Sequence, residues 1–136
     1  MRYLLDTNIC IYIANQKPAG VLGRLQGLKT GDVGMSIVTY LELVYGAWKS
    51  QRREANLQRI QNLERFIPVL TLDTRVGRHY GQLRTELQRK GAPIGAYDLL
   101  IAAHALSLGL ILVTNNAREF RRVPQLTVEN WAQEGL

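Results

Sequence analysis

Apolar residues along the chain form two kinds of segment: short continuous runs and longer stretches at helical spacing. The runs are Tyr3-Leu4-Leu5, Val33-Gly34-Met35-Ser36-Ile37, Val69-Leu70-Thr71-Leu72, Leu110-Ile111-Leu112-Val113 and Leu126-Thr127-Val128. Runs this short, bounded by turn residues or polar clusters, read as buried strands. Between them, Ile9 to Ile13 reads as a short helix ending near Lys17-Pro18, and Val21 to Leu28 as a second one before the Gly31-Asp32 turn. Thr39 is expected to open a helix whose Leu41, Val44, Tyr45 and Trp48 fall at i, i+3, i+4 and i+7. A charged helix follows over Arg52 to Ile67, with Leu57, Ile60, Leu63 and Ile67 on one side, until Pro68 forces a break. Asp73 or Thr74 caps the next helix, which carries Val76, Tyr80, Leu83 and Leu87 and ends at Lys90-Gly91. Leu99 to Leu108 is apolar on nearly every face, so this helix is expected to be buried, with Gly109 ending it. A short helix is expected around Arg118 to Phe120.

Strands alternating with helices predict an α/β fold: a largely parallel sheet sandwiched by helices on both faces. In such sheets the ligand site lies at the carboxyl ends of the strands. That rule singles out Asp6 and the Thr114–Asn116 segment, the polar exits of the first and fourth apolar runs. The 136 residues fit one domain spanning the chain, without internal repeat or low-complexity linker.

Composition narrows the class. The chain is 46% hydrophobic and 21% charged, an ordinary globular balance. No apolar run approaches the ~18 residues of a membrane span. The N-terminal segment reaches Asp6 too soon for a signal peptide, and Cys10 is the lone cysteine, so a cytoplasmic protein is expected. Seventeen Lys and Arg face eleven Asp and Glu, a net charge of +6, with Arg predominating. A basic surface attracts polyanions, and the planar guanidinium suits phosphate.

The carboxylates are few enough to weigh singly. Asp6 follows a buried strand directly; it could be a helix cap, but an unpaired charge between two apolar runs is costly unless a cation resolves it. Glu42 sits three residues after Thr39, the spacing of a capping box, yet its neighbours Leu41, Leu43 and Val44 keep it near the buried side. Asp98 stands at the mouth of the otherwise apolar helix, where a first-turn carboxylate is favoured by the helix dipole in any case. Glu119 follows the exit of the strongest strand, amid Arg118, Arg121 and Arg122. Asp32, Glu54, Glu64, Asp73, Glu86, Glu129 and Glu134 fall in turns, on charged faces or in the tail, and read as solvated surface.

Several chemistries lack their signatures. His79 and His104 are isolated and fit no zinc spacing. There is no phosphate-binding glycine loop and no nucleophile elbow. What remains is a set of carboxylates from separate segments, converging on one sheet edge in a basic protein. Carboxylate oxygens are the ligands that Mg²⁺ and Mn²⁺ prefer. The chemistry that applies such a cluster to a polyanion is metal-assisted phosphodiester hydrolysis.

Four segments also carry a family resemblance. They are Leu4-Leu5-Asp6-Thr7-Asn8; Ser36 to Gly46, containing Thr39 and Glu42; Pro93-Ile94-Gly95-Ala96-Tyr97-Asp98 continuing to Ala105; and Val113-Thr114-Asn115-Asn116-Ala117-Arg118-Glu119-Phe120. In order and spacing the chain resembles a PIN-domain ribonuclease, specifically a VapC-type toxin of bacterial toxin–antitoxin pairs. The resemblance implies a Mg²⁺- or Mn²⁺-dependent endoribonuclease, usually a homodimer, held inactive by a VapB-type antitoxin in a hetero-oligomer. It maps the first three acidic positions onto Asp6, Glu42 and Asp98, with Asp6 and Asp98 on the metal and Glu42 on the metal or its water. Where many relatives have Asp, this chain has Asn116, so either Glu119 supplies the fourth charge or Asn115 and Asn116 contribute neutral oxygens. Thr7, Asn8, Thr114, Asn115 and Asn116 are expected to position the carboxylates by hydrogen bonds. The Pro-x-Gly-x-Tyr-Asp and Thr-Asn-Asn-x-x-Glu-Phe patterns resemble members that cleave initiator tRNA in its anticodon loop, which makes tRNA the favoured RNA substrate.

The rival reading is a non-catalytic basic module binding RNA or protein, its carboxylates serving as caps. An Asp-phosphorylated signalling domain is set aside, because no Lys follows Lys90. An antitoxin segment is expected to wrap an apolar groove near Tyr40, Leu43 and Trp48 and to send one basic side chain toward Asp6, Glu42 and Asp98.

Overall fold

The computed structural model describes residues 1–133. Five parallel strands form one sheet: β1 (Tyr3–Leu5), β2 (Val33–Ser36), β3 (Val69–Leu70), β4 (Ile111–Val113) and β5 (Val128–Glu129). Their spatial order is β3-β2-β1-β4-β5. The chain therefore winds outward from β1 on one side, then crosses back to fill the other. The reversal falls between β1 and β4, whose carboxyl ends carry Asp6 and Thr114. This is the switch point at which open α/β sheets place their ligands.

Strand alternation divides the core in two. Leu4 and Leu112 face one cluster, while Tyr3, Leu5 and Val113 face the other. Helices α1 (Thr7–Asn15), α2 (Ala19–Gln26) and α4 (Arg53–Glu64) supply the second cluster, through Ile9, Cys10, Val21 and Leu63. Helices α5 (Thr74–Arg89), α6 (Ala96–Leu108) and the short α7 (Ala117–Phe120) supply the first, with Leu83, Leu87, Ile101, Ala102 and Phe120. The expected two-faced sandwich is the one observed. Helix α6 is buried as its all-round apolar sequence requires, and it is ended by Gly109 in the left-handed region at φ 66°.

Helix α3 (Ile37–Lys49) departs from expectation at its start. Its cap is Ser36, whose hydroxyl accepts from Val38 N at 3.1 Å, so the helix begins two residues before Thr39. Ser36 also meets the buried His104 ring at 2.8 Å through Nδ1, which makes His104 a core residue. Thr39 and Glu42 therefore lie inside the helix, and no capping box forms. The charged helix α4 also stops at Glu64, short of the expected Ile67, and Ile67 turns into the core.

A carboxylate-lined candidate active site

The earlier start of α3 gives Thr39 and Glu42 a different use. They share one helix face, aimed at the end of β1. Thr7 Oγ1 donates to Glu42 Oε1 at 2.7 Å, and Thr39 Oγ1 lies 3.3 Å from Thr7 Oγ1. A hydroxyl has one proton to give. With that of Thr7 committed to Glu42, the contact with the buried Thr39 has Thr39 as donor. Thr39 is a residue the sequence reading missed; its i, i+3 spacing to Glu42 was the available signal.

Asp6 caps α1, as a strand-exit Asp can, and is only 4% exposed. Its Oδ1 accepts from Thr7 N at 2.8 Å and its Oδ2 from Thr114 Oγ1 at 2.7 Å. Burial nevertheless raises its pKa above the usual carboxylate value, against those two hydrogen bonds and with help from the charges of Glu42 and Glu119. Asp98, in the first turn of α6, is pushed up to about 7. Burial is the largest cause, followed by the charges of Asp6, Glu119 and Glu42 and by a hydrogen bond with Glu119 that keeps the proton in place. Glu119 is held by Asn116 Nδ2 at 2.6 Å and Gly95 N at 3.2 Å.

Glu119 thus stands beside Asp98 in the acidic cluster, with Asn116 as its hydrogen-bond donor. Asn116 N also donates to Thr114 Oγ1 at 2.9 Å, tying the two halves of the site together. Thr7, Thr114 and Asn116 hydrogen-bond carboxylates of the cluster, whereas Asn8 and Asn115 do not. Asn8 is exposed and makes no side-chain hydrogen bond among the described residues. Asn115 points away from the carboxylates, donating to Tyr12 Oη at 2.8 Å. Glu129, read as solvated, instead accepts from Arg24 and from Trp131 Nε1, each at 3.0 Å. Glu134 lies outside the described residues.

Asp6, Glu42, Asp98 and Glu119 thus come from four segments and act on one another electrostatically. Among the described residues no Lys or Arg forms an ion pair with any of them. As the side chains stand, no three Asp, Glu, His or Cys groups among the described residues are arranged to hold one ion. Hydrogen bonds hold the side chains in other directions: Asp6 toward Thr7 N and Thr114, Glu42 toward Thr7, and Glu119 toward Asn116 and Asp98. In charge, donor type and lack of a Lys or Arg counter-ion among the described residues, the set fits a hard divalent cation.

The PIN-domain family model matches residues 3–126. The chain belongs to the PIN-domain family. Within that family it is 48% identical to the tRNA(fMet)-specific endonuclease VapC of Shigella flexneri, over 97% of this chain and 99% of that one. It is 41% identical to ribonuclease VapC2 of Rickettsia felis, over 96% and 98% of the two chains. A solved VapBC2 structure from Rickettsia felis, bound to a DNA fragment from their promoter, superposes with a TM-score of 0.90 at 39% identity, covering 96% of this chain and 99% of that one.

Beside the site of this PIN domain lies a groove of about 270 Å³, lined by Ile11, Ala14, Leu43, Gly46, Ile60 and Leu63 together with Glu42, Asn56 and Arg59. Of the groove residues expected from sequence, only Leu43 lines it. Tyr40 packs partly buried against the core, and Trp48 is 52% exposed with the Arg53 guanidinium 4.1 Å above its ring. No helix among the described residues is long and apolar enough to cross a membrane.

Proposed function

We propose that this chain is a Mg²⁺- or Mn²⁺-dependent endoribonuclease, the toxin of a toxin–antitoxin pair, acting on tRNA and on initiator tRNA first. The observation that carries the reading is the set of four carboxylates at the sheet's switch point, lacking any Lys or Arg partner among the described residues in a protein of net charge +6. RNA can be held by the basic surface without metal, but its reacting phosphodiester is repelled from the cluster itself until a cation is present. Asp6 and Asp98 would hold the ion, with Glu42 and Glu119 beside them. When bound, it supplies Lewis-acid polarisation of the phosphodiester and lowers the pKa of attacking water. Thr7, Thr39, Thr114 and Asn116 fix the directions of the carboxylate oxygens. The tRNA preference is supported by the names of relatives in Shigella flexneri and Salmonella typhimurium, each a tRNA(fMet)-specific endonuclease. The test is cleavage of initiator tRNA beside an elongator tRNA, with Mg²⁺ and with chelator. Equal cleavage in chelator would remove the metal, and equal cleavage of both tRNAs would remove the preference.

Glu42→Gln separates the charge of this residue from its shape. Gln keeps an acceptor for Thr7 Oγ1, and α3 has no capping box to lose. The variant should fold as the parent and cleave at least about tenfold more slowly, the scale of losing a group beside a metal site. Undiminished turnover would return Glu42 to a structural role.

Phosphate tracking should fall to the basic middle of the chain. Ten of the seventeen basic residues lie from Lys49 to Lys90, on and around α4 and α5. RNA affinity, measured in chelator, should drop steeply between ~50 and ~200 mM salt. A flat dependence argues against a phosphate-tracking surface.

The partner in this reading is a VapB-type antitoxin whose apolar segment fills the groove beside Glu42 while a basic side chain neutralises the carboxylates. The solved VapBC complexes among the relatives support it. A homodimer is part of the same reading. It is supported by the exposed stripe Leu41, Tyr45 and Trp48 at i, i+4 and i+7 on α3.

A further inference from the structure

The four carboxylates create a problem for any RNA. They draw in an ion, but they repel the phosphates on either side of the bond to be cut. Close to the cluster, a grip on a neighbouring nucleotide is best made by an uncharged contact. Stacking of a base on an aromatic ring is such a contact, and it suits unpaired RNA because every base has a π-face.

One exposed ring is carried on the same helical turn as a carboxylate of the cluster. Tyr97 immediately precedes Asp98 in the first turn of α6 and is 61% exposed. Its helix is otherwise seated in the core through Leu99 and Ile101 to Ala105, so the ring is carried on a rigid base. Among the described residues Tyr97 makes no hydrogen bond, ring contact or cation contact. The other widely exposed tyrosine differs. Tyr45 is 66% exposed but has Lys49 Nζ 5.0 Å above its ring. The residues leading into Tyr97, Gly95 and Ala96, are small and exposed, which leaves the approach to the ring open. Arg122 donates to Pro93 O at 3.3 Å and so brings a guanidinium to the same loop, within the segment that leads to Tyr97. Exposure alone does not set Tyr97 apart, since Phe66 is equally exposed; its place beside Asp98 and its lack of any ring or cation partner do.

We infer that Tyr97 is the stacking platform for an unpaired nucleobase next to the scissile phosphate, a substrate-positioning residue of the active site. The inference rests on the ribonuclease reading above. Tyr97 supplies a π-face and no proton, so its phenol oxygen is dispensable.

The test uses Tyr97→Ala, Tyr97→Phe and the parent protein, with a short unstructured RNA carrying 2-aminopurine beside the cleavage position. In chelator, the parent should quench 2-aminopurine fluorescence on binding, and so should the Phe variant. The Ala variant should bind about 5- to 100-fold more weakly, the range found for removing one stacking ring, and should not quench. With Mn²⁺, the Ala variant should show a raised KM, a kcat within a few-fold of the parent, and unchanged Mn²⁺ affinity. A merely structural ring would instead lower thermal stability and leave the quenching intact. Equal affinity and equal quenching in the Ala variant overturn the inference, and so does failure of Phe to restore them. The two readings fail separately. If the parent stacks 2-aminopurine but does not cleave, the ribonuclease assignment falls and Tyr97 is left as an RNA-stacking ring with no scissile phosphate beside it. If the parent cleaves and the Ala variant matches it in KM, the platform alone falls.

Discussion

Replacing either Asp6 or Asp98 by Asn should lower metal-dependent RNA cleavage by about 100-fold or more, the scale of removing one pre-placed electrostatic group. The metal-free fold should survive both changes. In Asp6→Asn the amide oxygen still accepts from Thr7 N. Its NH₂ then meets Thr114 Oγ1, which now accepts a bond it formerly donated. That hydroxyl already accepts from Asn116 N and has a second lone pair for the reversal. In Asp98→Asn the new NH₂ donates to Glu119 in place of the carboxyl proton. Each substitution also removes a charge that burial and neighbouring carboxylates disfavour, Glu42 and Glu119 for Asp6 and these two with Asp6 for Asp98. Melting temperature in chelator should therefore hold or rise while activity disappears. A variant that cuts RNA at the parental rate with saturating Mg²⁺ has no place in the site. One that loses activity only by unfolding would show the opposite shift in melting temperature.

The fold was legible in the sequence wherever burial was continuous. The β1, β2 and β4 runs and the Leu99–Leu108 segment have almost no polar interruption, so length alone separates strand from helix. Ends were less legible. Thr39 looked like a cap because Thr-x-x-Glu is a capping pattern, but the two apolar residues before it, Ile37 and Val38, belong to the same helix. The hydroxyl just before them, on Ser36, had better geometry as the cap. At the end of α4, Pro68 marked the break, yet the helix stops at Glu64 because Ile67 is needed in the core. Trp131 packs edge-on against Tyr3 with ring centroids 5.3 Å apart, a contact between opposite ends of the chain that no local pattern reveals.

The site was legible as a list and not as a geometry. Asp6, Glu42, Asp98 and Glu119 each carried a local ambiguity between cap, surface and ligand. Only the parallel topology brings them to one edge. The division of labour between Asn115 and Asn116 could not be read from adjacent identical residues. The chain turns after β4, so Asn116 faces Glu119 while Asn115 faces Tyr12 on α1. Glu129 was misread because Arg24, one of its two partners, lies far from it in the chain and meets it only through the fold.

Stability of the metal-free protein should fall as pH rises from about 5 to 8, and a divalent ion should reverse the trend. Asp98 titrates near 7 in the folded protein, against about 3.9 in an unfolded chain. Between those values the folded state binds the additional proton, so raising the pH favours unfolding. The contribution is fully present below the unfolded value and is lost as pH passes through 7. Asp6 shifts in the same direction and adds to the trend. The half-buried position of Asp98 limits the effect over this range to on the order of 1–2 kcal/mol, or roughly 5 °C in melting temperature. A divalent ion takes the place of the shared proton, so its stabilising effect should be small at pH 5 and large at pH 8, with proton release on binding near pH 6. Thermal melts at four pH values, in chelator and in Mg²⁺, measure both. Asp98→Asn should flatten the chelator series by removing the group that titrates. A parent protein equally stable from pH 5 to 8 without metal, or an Asp98→Asn variant that keeps the parental slope, would show that the carboxylates are not coupled as the geometry requires.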